Sequence, residues 1–216
     1  MRLGLIGDVH AEDRRLAVTL DAFRRERVDG ILCTGDLVDG EGDINTTCAL
    51  LRASNAYVIR GNHDRWIRED TMRNLPHAHR MTELAIETVT FLKSLPVTIV
   101  LDVPGGKLLL CHGVGENDMQ RLVPDDHGYA IASNDALLKV LFDPTIRIMV
   151  GGHTHVPMVR RFERGPGKPP LVVVNPGTLA RHDKPGFAIL DTNTKKVGFY
   201  RITDNLAVES VSHAVV

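Results

Sequence analysis

The sequence predicts an α/β protein built from two packed sheets flanked by helices, and three observations carry that expectation. Up to Arg60, short apolar β-branched runs alternate with amphipathic helical stretches, the pattern of a largely parallel sheet with crossover helices. From Val97 onward strands dominate and only one further helix interrupts them, which predicts a second, more mixed sheet. The 216 residues contain no internal repeat and no low-complexity tract, so one domain spanning residues 1–216 is expected.

Leu3 to Gly7 reads as a buried strand. Leu16, Leu20 and Phe23 then fall on one helical face, with Arg14, Arg15, Arg24 and Arg25 expected on a solvated one. Ile31 to Thr34 is a second strand, Asp43 is placed to N-cap a helix carrying Cys48, Leu50 and Leu51, and Tyr57 to Arg60 is a third strand. A long helix is expected around Thr82 to Leu95, where Leu84, Thr88, Phe91 and Leu95 are in register and Pro96 stops it. Strands follow at Val97 to Leu101, Lys107 to Cys111, Ile146 to Val150, Leu171 to Val174, Phe187 to Leu190 and Val197 to Ile202, with a helix at about Asn134 to Phe142 among them. The run Arg164-Gly165-Pro166-Gly167-Lys168-Pro169-Pro170 has linker composition, but strands on both sides make it a loop within one domain.

Composition narrows the function classes. Hydrophobic residues make up 43% and charged residues 25%, enough for a packed core and unlike a disordered chain. A net charge of -1 gives no general attraction to nucleic acid or to an acidic membrane, so neither bulk nucleic-acid binding nor membrane association is expected. Affinity for phosphate then has to come from a local site. The opening apolar run is too short for a signal sequence or a membrane span, which makes the cytoplasm the expected location. Cys33, Cys48 and Cys111 form no C-x-x-C pair and are expected as reduced core thiols rather than ligands. A homo-oligomer is left open.

Five short motifs carry the chemistry: Asp8-Val9-His10, Gly35-Asp36-Leu37-Val38-Asp39, Gly61-Asn62-His63-Asp64, Cys111-His112-Gly113 and Gly151-Gly152-His153-Thr154-His155. Each ends a short apolar run and supplies oxygen or imidazole groups, which is how a sheet gathers ligands from distant parts of a chain. One such motif alone is common for turn or capping reasons. Five in this order at strand ends read as a two-metal hydrolytic site. Two divalent cations a few ångströms apart need an anionic bridge, hard oxygens and imidazoles, with a position open for water or substrate. Asp36 is the natural bridge. Asp8 and His10, two apart on an extended segment, point the same way toward one ion, Asn62 offers an amide oxygen to the other, and His112, His153 and His155 complete the shells. The glycines before His153 let the backbone approach closely. Two dications less the carboxylates of Asp8 and Asp36 and one hydroxide leave a single positive charge, which attracts a phosphoryl oxygen. This donor set suits manganese first, with iron, zinc, nickel and cobalt also accommodated.

In these residues the chain resembles the calcineurin-like metallophosphoesterases over residues 3 to about 190. The resemblance implies a four-layer α/β/β/α sandwich of two mixed sheets flanked by helices. It implies Asp8, His10, Asp36 and His155 on one metal and Asp36, Asn62, His112 and His153 on the other. It also implies hydrolysis of a phosphodiester or a nucleotide phosphoanhydride by a metal-bridging hydroxide. The family's transition-state histidine matches His63, with Asp64 beside it as the expected orienting partner and a small phosphoester or nucleotide as substrate. Asn175-Pro176-Gly177-Thr178 and Gly186-Phe187-Ala188-Ile189-Leu190 are similar to the ending of the small prokaryotic phosphodiesterase branch, which also includes diadenosine tetraphosphate hydrolases and a eukaryotic trafficking scaffold. The competing readings are a non-catalytic metal-binding or protein-interaction scaffold of the same fold, a phosphate sensor, and a phosphomonoesterase.

Departures from the family pattern narrow the choice. The Ser/Thr protein phosphatases and their bacterial dinucleotide-hydrolase cousins have a phosphate-binding arginine after the second motif, where this chain has Gly40. Many members of the small phosphodiesterase branch have Cys where this chain has His63. The stretch from His112 to Ser133, with Glu116, Arg121, Asp125, Asp126, His127 and Tyr129, is longer than in the smallest members and reads either as a wall of the pocket or as a surface loop. His77 and His79, with Arg65, Arg68, Arg73 and Arg80, offer a basic rim, although a solvated helix and loop is the expected reading of that segment.

Overall fold

The chain's computed structural model describes residues 1–215. In chain order the elements begin with β1 (Arg2–Ile6), α1 (Asp13–Arg25), β2 (Gly30–Cys33), α2 (Ile44–Ala53), β3 (Tyr57–Val58) and α3 (Asn62–Glu69). A 3-10 turn (Met81–Glu83) leads to α4 (Ile86–Ser94), β4 (Ile99–Val103) and β5 (Gly106–Leu110). Then come α5 (Tyr129–Ala132), α6 (Asp135–Phe142), β6 (Ile146–Val150), β7 (Met158–Phe162), β8 (Leu171–Asn175), β9 (Gly186–Asp191), β10 (Lys196–Ile202) and β11 (Val208–Val215).

The strands form two mixed sheets, ordered β11-β10-β9-β1-β2-β3 and β4-β5-β6-β8-β7. In the first, β1, β2 and β3 run parallel, and β9 joins β1 antiparallel with Leu3 opposite Leu190. In the second, β5, β6 and β8 are parallel between antiparallel edges.

Strand alternation decides the layering. Successive side chains point to opposite faces, so Leu108 and Leu110 of β5 face the first sheet while Leu109 faces away. Ile148 and Val150 of β6 and Val172 and Val174 of β8 repeat the pattern, meeting Leu3, Leu5, Leu32 and Leu190 in an inter-sheet core. Leu109, Met149, Leu171 and Val173 pack on the outer side under Leu137 and Val140 of α6. Both faces of these strands are therefore apolar, as expected of buried parallel strands. On the other side of the molecule Leu16, Leu20 and Phe23 of α1, with Cys48 and Leu51 of α2 and Leu92 of α4, cover Ile6, Cys33 and Phe187. The three cores separate four layers in the expected α/β/β/α order. Phe23 is fully buried edge-to-face against Phe187, and truncating such a side chain costs roughly 3–5 kcal/mol.

Several local expectations hold and some shift. Asp43 N-caps α2 by accepting from the amides of Asn45 and Thr46. The expected helix Thr82 to Leu95 is broken: the chain is extended at Leu84 and Ala85, and the Ala85 amide donates to Asn45 Oδ1 at 3.0 Å instead of continuing a helical ladder. Arg15, expected in solvent, is mostly covered and pairs with buried Glu12 at 2.9 Å. All three cysteines are buried thiols, and burial pushes Cys111 up to about 12, so none is a reactive thiolate. Among the described residues no helix is long and apolar enough to cross a membrane.

Candidate metal centre

The carboxyl ends of the parallel strands in both sheets converge on one edge of the sandwich. Asp8 and His10 follow β1, Asp36 follows β2, Asn62 and His63 open α3 just beyond β3, His112 follows β5, and His153 and His155 follow β6. Such ends are where open α/β sheets leave room for ligands. The loops are stitched together by backbone bonds: the amides of Val9 and His10 both donate to the Asp36 carbonyl, and Gly152 donates to the His112 carbonyl. Four of the gathered residues, His10, Asp36, His153 and His155, have left-handed backbone with φ between 46° and 66°. For residues with a Cβ that conformation is strained, and such strain concentrates at functional sites.

All seven residues expected to hold metal lie together. Asp8, His10 and His155 bring their ligand atoms into one cluster, and Asp36 joins both His10 with His63 and Asp8 with His112 in two others. Nε2 of His155 stands 3.1 Å from Asp8 Oδ2 and 3.2 Å from Nε2 of His10. Nε2 of His112 is 3.3 Å from Asp36 Oδ2 and 2.8 Å from Asn62 Oδ1, which also lies 2.9 Å from Nδ1 of His153. The inward atoms are selected from behind. Nδ1 of His112 faces the Thr34 carbonyl at 2.8 Å, Nδ1 of His10 the Asp39 carbonyl at 3.0 Å, and Nδ1 of His155 the Asp183 carboxylate at 2.6 Å. Each Nδ1 thus donates outward and leaves Nε2 free to ligate.

Two glycines are required by close approach. A Cβ on Gly61 would overlap Asp36 Oδ1, and one on Gly152 would overlap Asp8 Oδ1. Those same oxygens are held by the His63 amide at the start of α3, at 2.8 Å, and by the His153 amide, at 3.0 Å. The remaining buried oxygen of Asp8, Oδ2, accepts no hydrogen bond. An orphaned carboxylate oxygen beside two imidazole nitrogens is the donor set of a divalent cation, and the residues fit that group.

Without a cation the cluster is held by protons. Burial raises the carboxyls of Asp8 and Asp36, but the positive charge of His112, close to both, outweighs it and holds them below the usual carboxylate range. Burial lowers His112, and the charges of Asp36 and Asp8 overcome it and push it up to about 10. His155 rises to about 9 against its own burial, through the Asp8 carboxylate 3.1 Å from its Nε2 and its hydrogen bond to Asp183. His153 moves the other way, lowered by burial and by the charge on His112.

His63 also lies at the centre, its ring 5.0 Å from that of His10 and 4.6 Å from that of Trp66. Its orienting partner differs from the one expected. Nδ1 of His63 is held by Asp39 Oδ2 at 2.8 Å, and that hydrogen bond raises the imidazole's pKa against its burial. The carboxylate of Asp64 points away. It is fully buried and accepts from the amides of Gly61 (2.9 Å), Leu37 (2.9 Å) and Val38 (3.3 Å). Asp64 therefore caps α3 and pins the second motif to the third; burial and the nearby Asp36 charge raise its carboxyl to about 6.

The sequence profile of the calcineurin-like phosphoesterase superfamily domain matches residues 1–195. The chain belongs to that superfamily. An uncharacterised protein of Methanocaldococcus jannaschii is 24% identical over 93% of this chain and 86% of its own length. Among solved structures, a metallophosphoesterase from Sphaerobacter thermophilus superposes with a TM-score of 0.69 at 23% identity, covering 94% of this chain and 89% of that one. An archaeal phosphodiesterase superposes with a TM-score of 0.55 at 16% identity, covering 98% and 99%. These likenesses share the fold.

In this calcineurin-like phosphoesterase the segment read as a basic rim divides in two. Arg68 and His77 are exposed, and Arg80 lies 3.8 Å from Asp70. Arg73 and His79 instead turn inward onto Asp39. Arg65 leaves the rim as well, forking onto Asp118 at 2.7 and 3.0 Å and tying α3 to the loop after His112. That loop is pinned again by Arg160, which donates to the carbonyls of Val123 and Asp126. Leu122 is buried beneath it, while Arg121, Asp125, His127 and Tyr129 are exposed, so the stretch is a surface loop anchored at a few points. A cavity of about 810 Å³ lies behind His155 and Asp183, between Pro157, Phe199 and Val211.

Sequence reasoning missed three supporting residues. Asp39 was visible as the last residue of the second motif but had no assigned role. Asp183, behind His155, sits in a loop with no motif of its own. Asn175, in the quoted Asn175-Pro176-Gly177-Thr178, donates to the Gly152 carbonyl at 2.8 Å and so fixes the turn into His153.

Proposed function

We propose that this chain is a metal-dependent hydrolase of phosphodiesters, or of nucleotide phosphoanhydrides, working with two divalent cations, manganese first among the candidates. The observation that carries the reading is the shared position of Asp36, whose carboxylate belongs at once to the cluster with His10 and to the cluster with Asp8 and His112. Asp8, His10, Asp36 and His155 would hold one ion, and Asp36, Asn62, His112 and His153 the other. Family membership supports phosphoric ester hydrolysis, and the archaeal relative named a phosphodiesterase shares the fold. When bound, the ions supply an activated water and a clamp for the phosphoryl oxygens.

The protein's own groups do the rest. Asp8 and Asp36 are set in place by backbone amides, so the anionic donors are oriented before substrate arrives. His63, held through Nδ1 by Asp39, turns its Nε2 edge to the site and would donate to the leaving oxygen or to the charge that develops on it. The net single positive charge of the loaded site matches the single negative charge of a diester better than a monoester dianion. The test is a rate comparison: metal-reconstituted protein against a panel of phosphomonoesters, diesters and nucleotides. Manganese-dependent turnover highest on a diester or phosphoanhydride is expected. A monoester rate clearly above the diester rate would overturn the substrate class, and no turnover on the whole panel would overturn the hydrolase.

A further inference from the structure

Arg73 lies in the irregular stretch between α3 and the 3-10 turn, yet its side chain is only 5% exposed. Four of the guanidinium's five N–H donors are engaged. Nη1 and Nη2 fork onto Asp39 Oδ1 and Oδ2 at 2.8 and 2.9 Å, Nη1 also donates to the His79 carbonyl at 2.7 Å, and Nε donates to the Thr71 carbonyl at 2.7 Å. His79 closes the arrangement from the other side: its amide donates to Asp39 Oδ1 at 3.0 Å and its Nδ1 accepts the Asp39 amide at 2.9 Å. The oxygen that takes Nη2 is the same Oδ2 that holds His63 Nδ1.

This geometry fixes a plane. A two-pronged arginine–carboxylate pair resists rotation, because turning the carboxylate breaks both bonds at once. Asp39 therefore presents Oδ2 to His63 in one orientation only. Burying a guanidinium costs free energy that its hydrogen bonds must offset, and here those bonds tie a turn-rich segment to the back of the second motif. None of Arg73's bonds reaches a residue assigned to metal.

We propose that Arg73 is a positioning residue: through Asp39 it sets the imidazole of His63, and residues 70–79 form a strap that holds it there. The role in turnover rests on the hydrolase reading above, whereas the positioning itself does not.

The experiment pairs kinetics with a signal independent of turnover. In manganese-loaded protein, R73A is expected to keep its metal and its KM while kcat falls roughly 10- to 100-fold. Added guanidinium ion should restore part of the loss in R73A and do nothing for wild type. In an H63A background, R73A should cost nothing more, because the residue it positions is gone. In the metal-free proteins, the hydrogen-bonded Nδ1 proton of His63, assigned by its absence in H63A, should give a downfield proton resonance in wild type that R73A loses. R73K keeps a buried cation without the fork and should fall between the two, which covers an R73A that does not fold. Wild-type kcat with an unchanged resonance in R73A or R73K would overturn the proposal, as would losses that multiply in the double variant. A resonance lost in R73A in a protein that hydrolyses nothing would keep the strap and overturn the hydrolase.

Discussion

Oδ2 of Asp8 stands 3.1 Å from Nε2 of His155 and accepts no hydrogen bond, although Asp8 is wholly buried. A buried acceptor left unpaired costs about 1–3 kcal/mol, more when it is charged. Nε2 of His10 lies 3.2 Å from the same imidazole nitrogen, so two ring nitrogens and a carboxylate oxygen converge. One proton can satisfy part of this arrangement; a cation satisfies all of it. His10 and His155 both have left-handed backbone, a strained conformation of the kind that clusters at functional sites.

The bridge is the first target. Asp36→Asn is expected to lose more metal and more turnover than any other single ligand change, because it weakens the one side chain proposed to hold both ions. Metal analysis of the purified variant should show both ions depleted. Two tightly held ions with normal diester hydrolysis would remove Asp36 from the bridging position.

Proton linkage gives a second outcome with a definite sign. His112 and His155 rise from 6.5 to about 10 and about 9 in the folded chain. Their contribution to the stability of metal-free protein is therefore fully present below about 6.5 and lost as pH rises through 9 and 10. Asp8 and Asp36 are lowered from 3.8, so their contribution is present above that value and lost on further acidification. Thermal melting of metal-free protein should peak between those limits. Metal has to displace the histidine protons, so uptake near neutral pH should release protons, measurable by titration calorimetry in buffers of different ionisation enthalpy. Acid should strip metal and activity together. Uptake without proton release, or full metal content well below pH 5, would contradict the histidine set.

Crowding at a glycine provides a structural prediction. Gly152→Ala should push the Asp8 carboxylate and Thr34 aside, since a Cβ there overlaps Asp8 Oδ1 and crowds Thr34 Oγ1. Metal affinity should fall while the sandwich persists, read by circular dichroism beside metal analysis. An alanine variant that binds metal as wild type does would show that Asp8 is not confined as described.

Much of this was legible in the sequence, for reasons that individual residues make plain. The buried strands announce themselves through Val, Ile and Leu on both faces, as at Leu171–Asn175. The edge strands β7 and β11 do not: β7 carries Arg160 and Arg161, and β11 is mostly exposed, so neither needed an apolar pattern. The bounds of α3 were not legible, because Trp66 and Ile67 are its only large apolar residues and its start is set by Asp64 capping Gly61. The seven inner residues were readable because each lies in the short motif that follows a strand. Their supports were not, since Asp39, Arg73 and Asp183 meet their partners through loops whose course no local pattern encodes.

The role of His63 separates chemistry from binding. His63→Ala should retain metal and lose roughly 10²- to 10⁴-fold in turnover if the imidazole acts as a general acid. The defect should be small on an activated aryl diester and large on an alkyl or nucleoside diester, whose leaving oxygen needs a proton. Equal defects on both would assign His63 to charge stabilisation, and full activity on both would remove it from the reaction.

The central claim is a pair of ions sharing Asp36, and anomalous diffraction from crystals of manganese-loaded protein tests it most directly. The expected map holds two manganese peaks per chain, roughly 3.5–4 Å apart, with Asp36 between them, His10 and His155 on one and Asn62, His112 and His153 on the other. A single peak, or two peaks that do not share the Asp36 carboxylate, would contradict it.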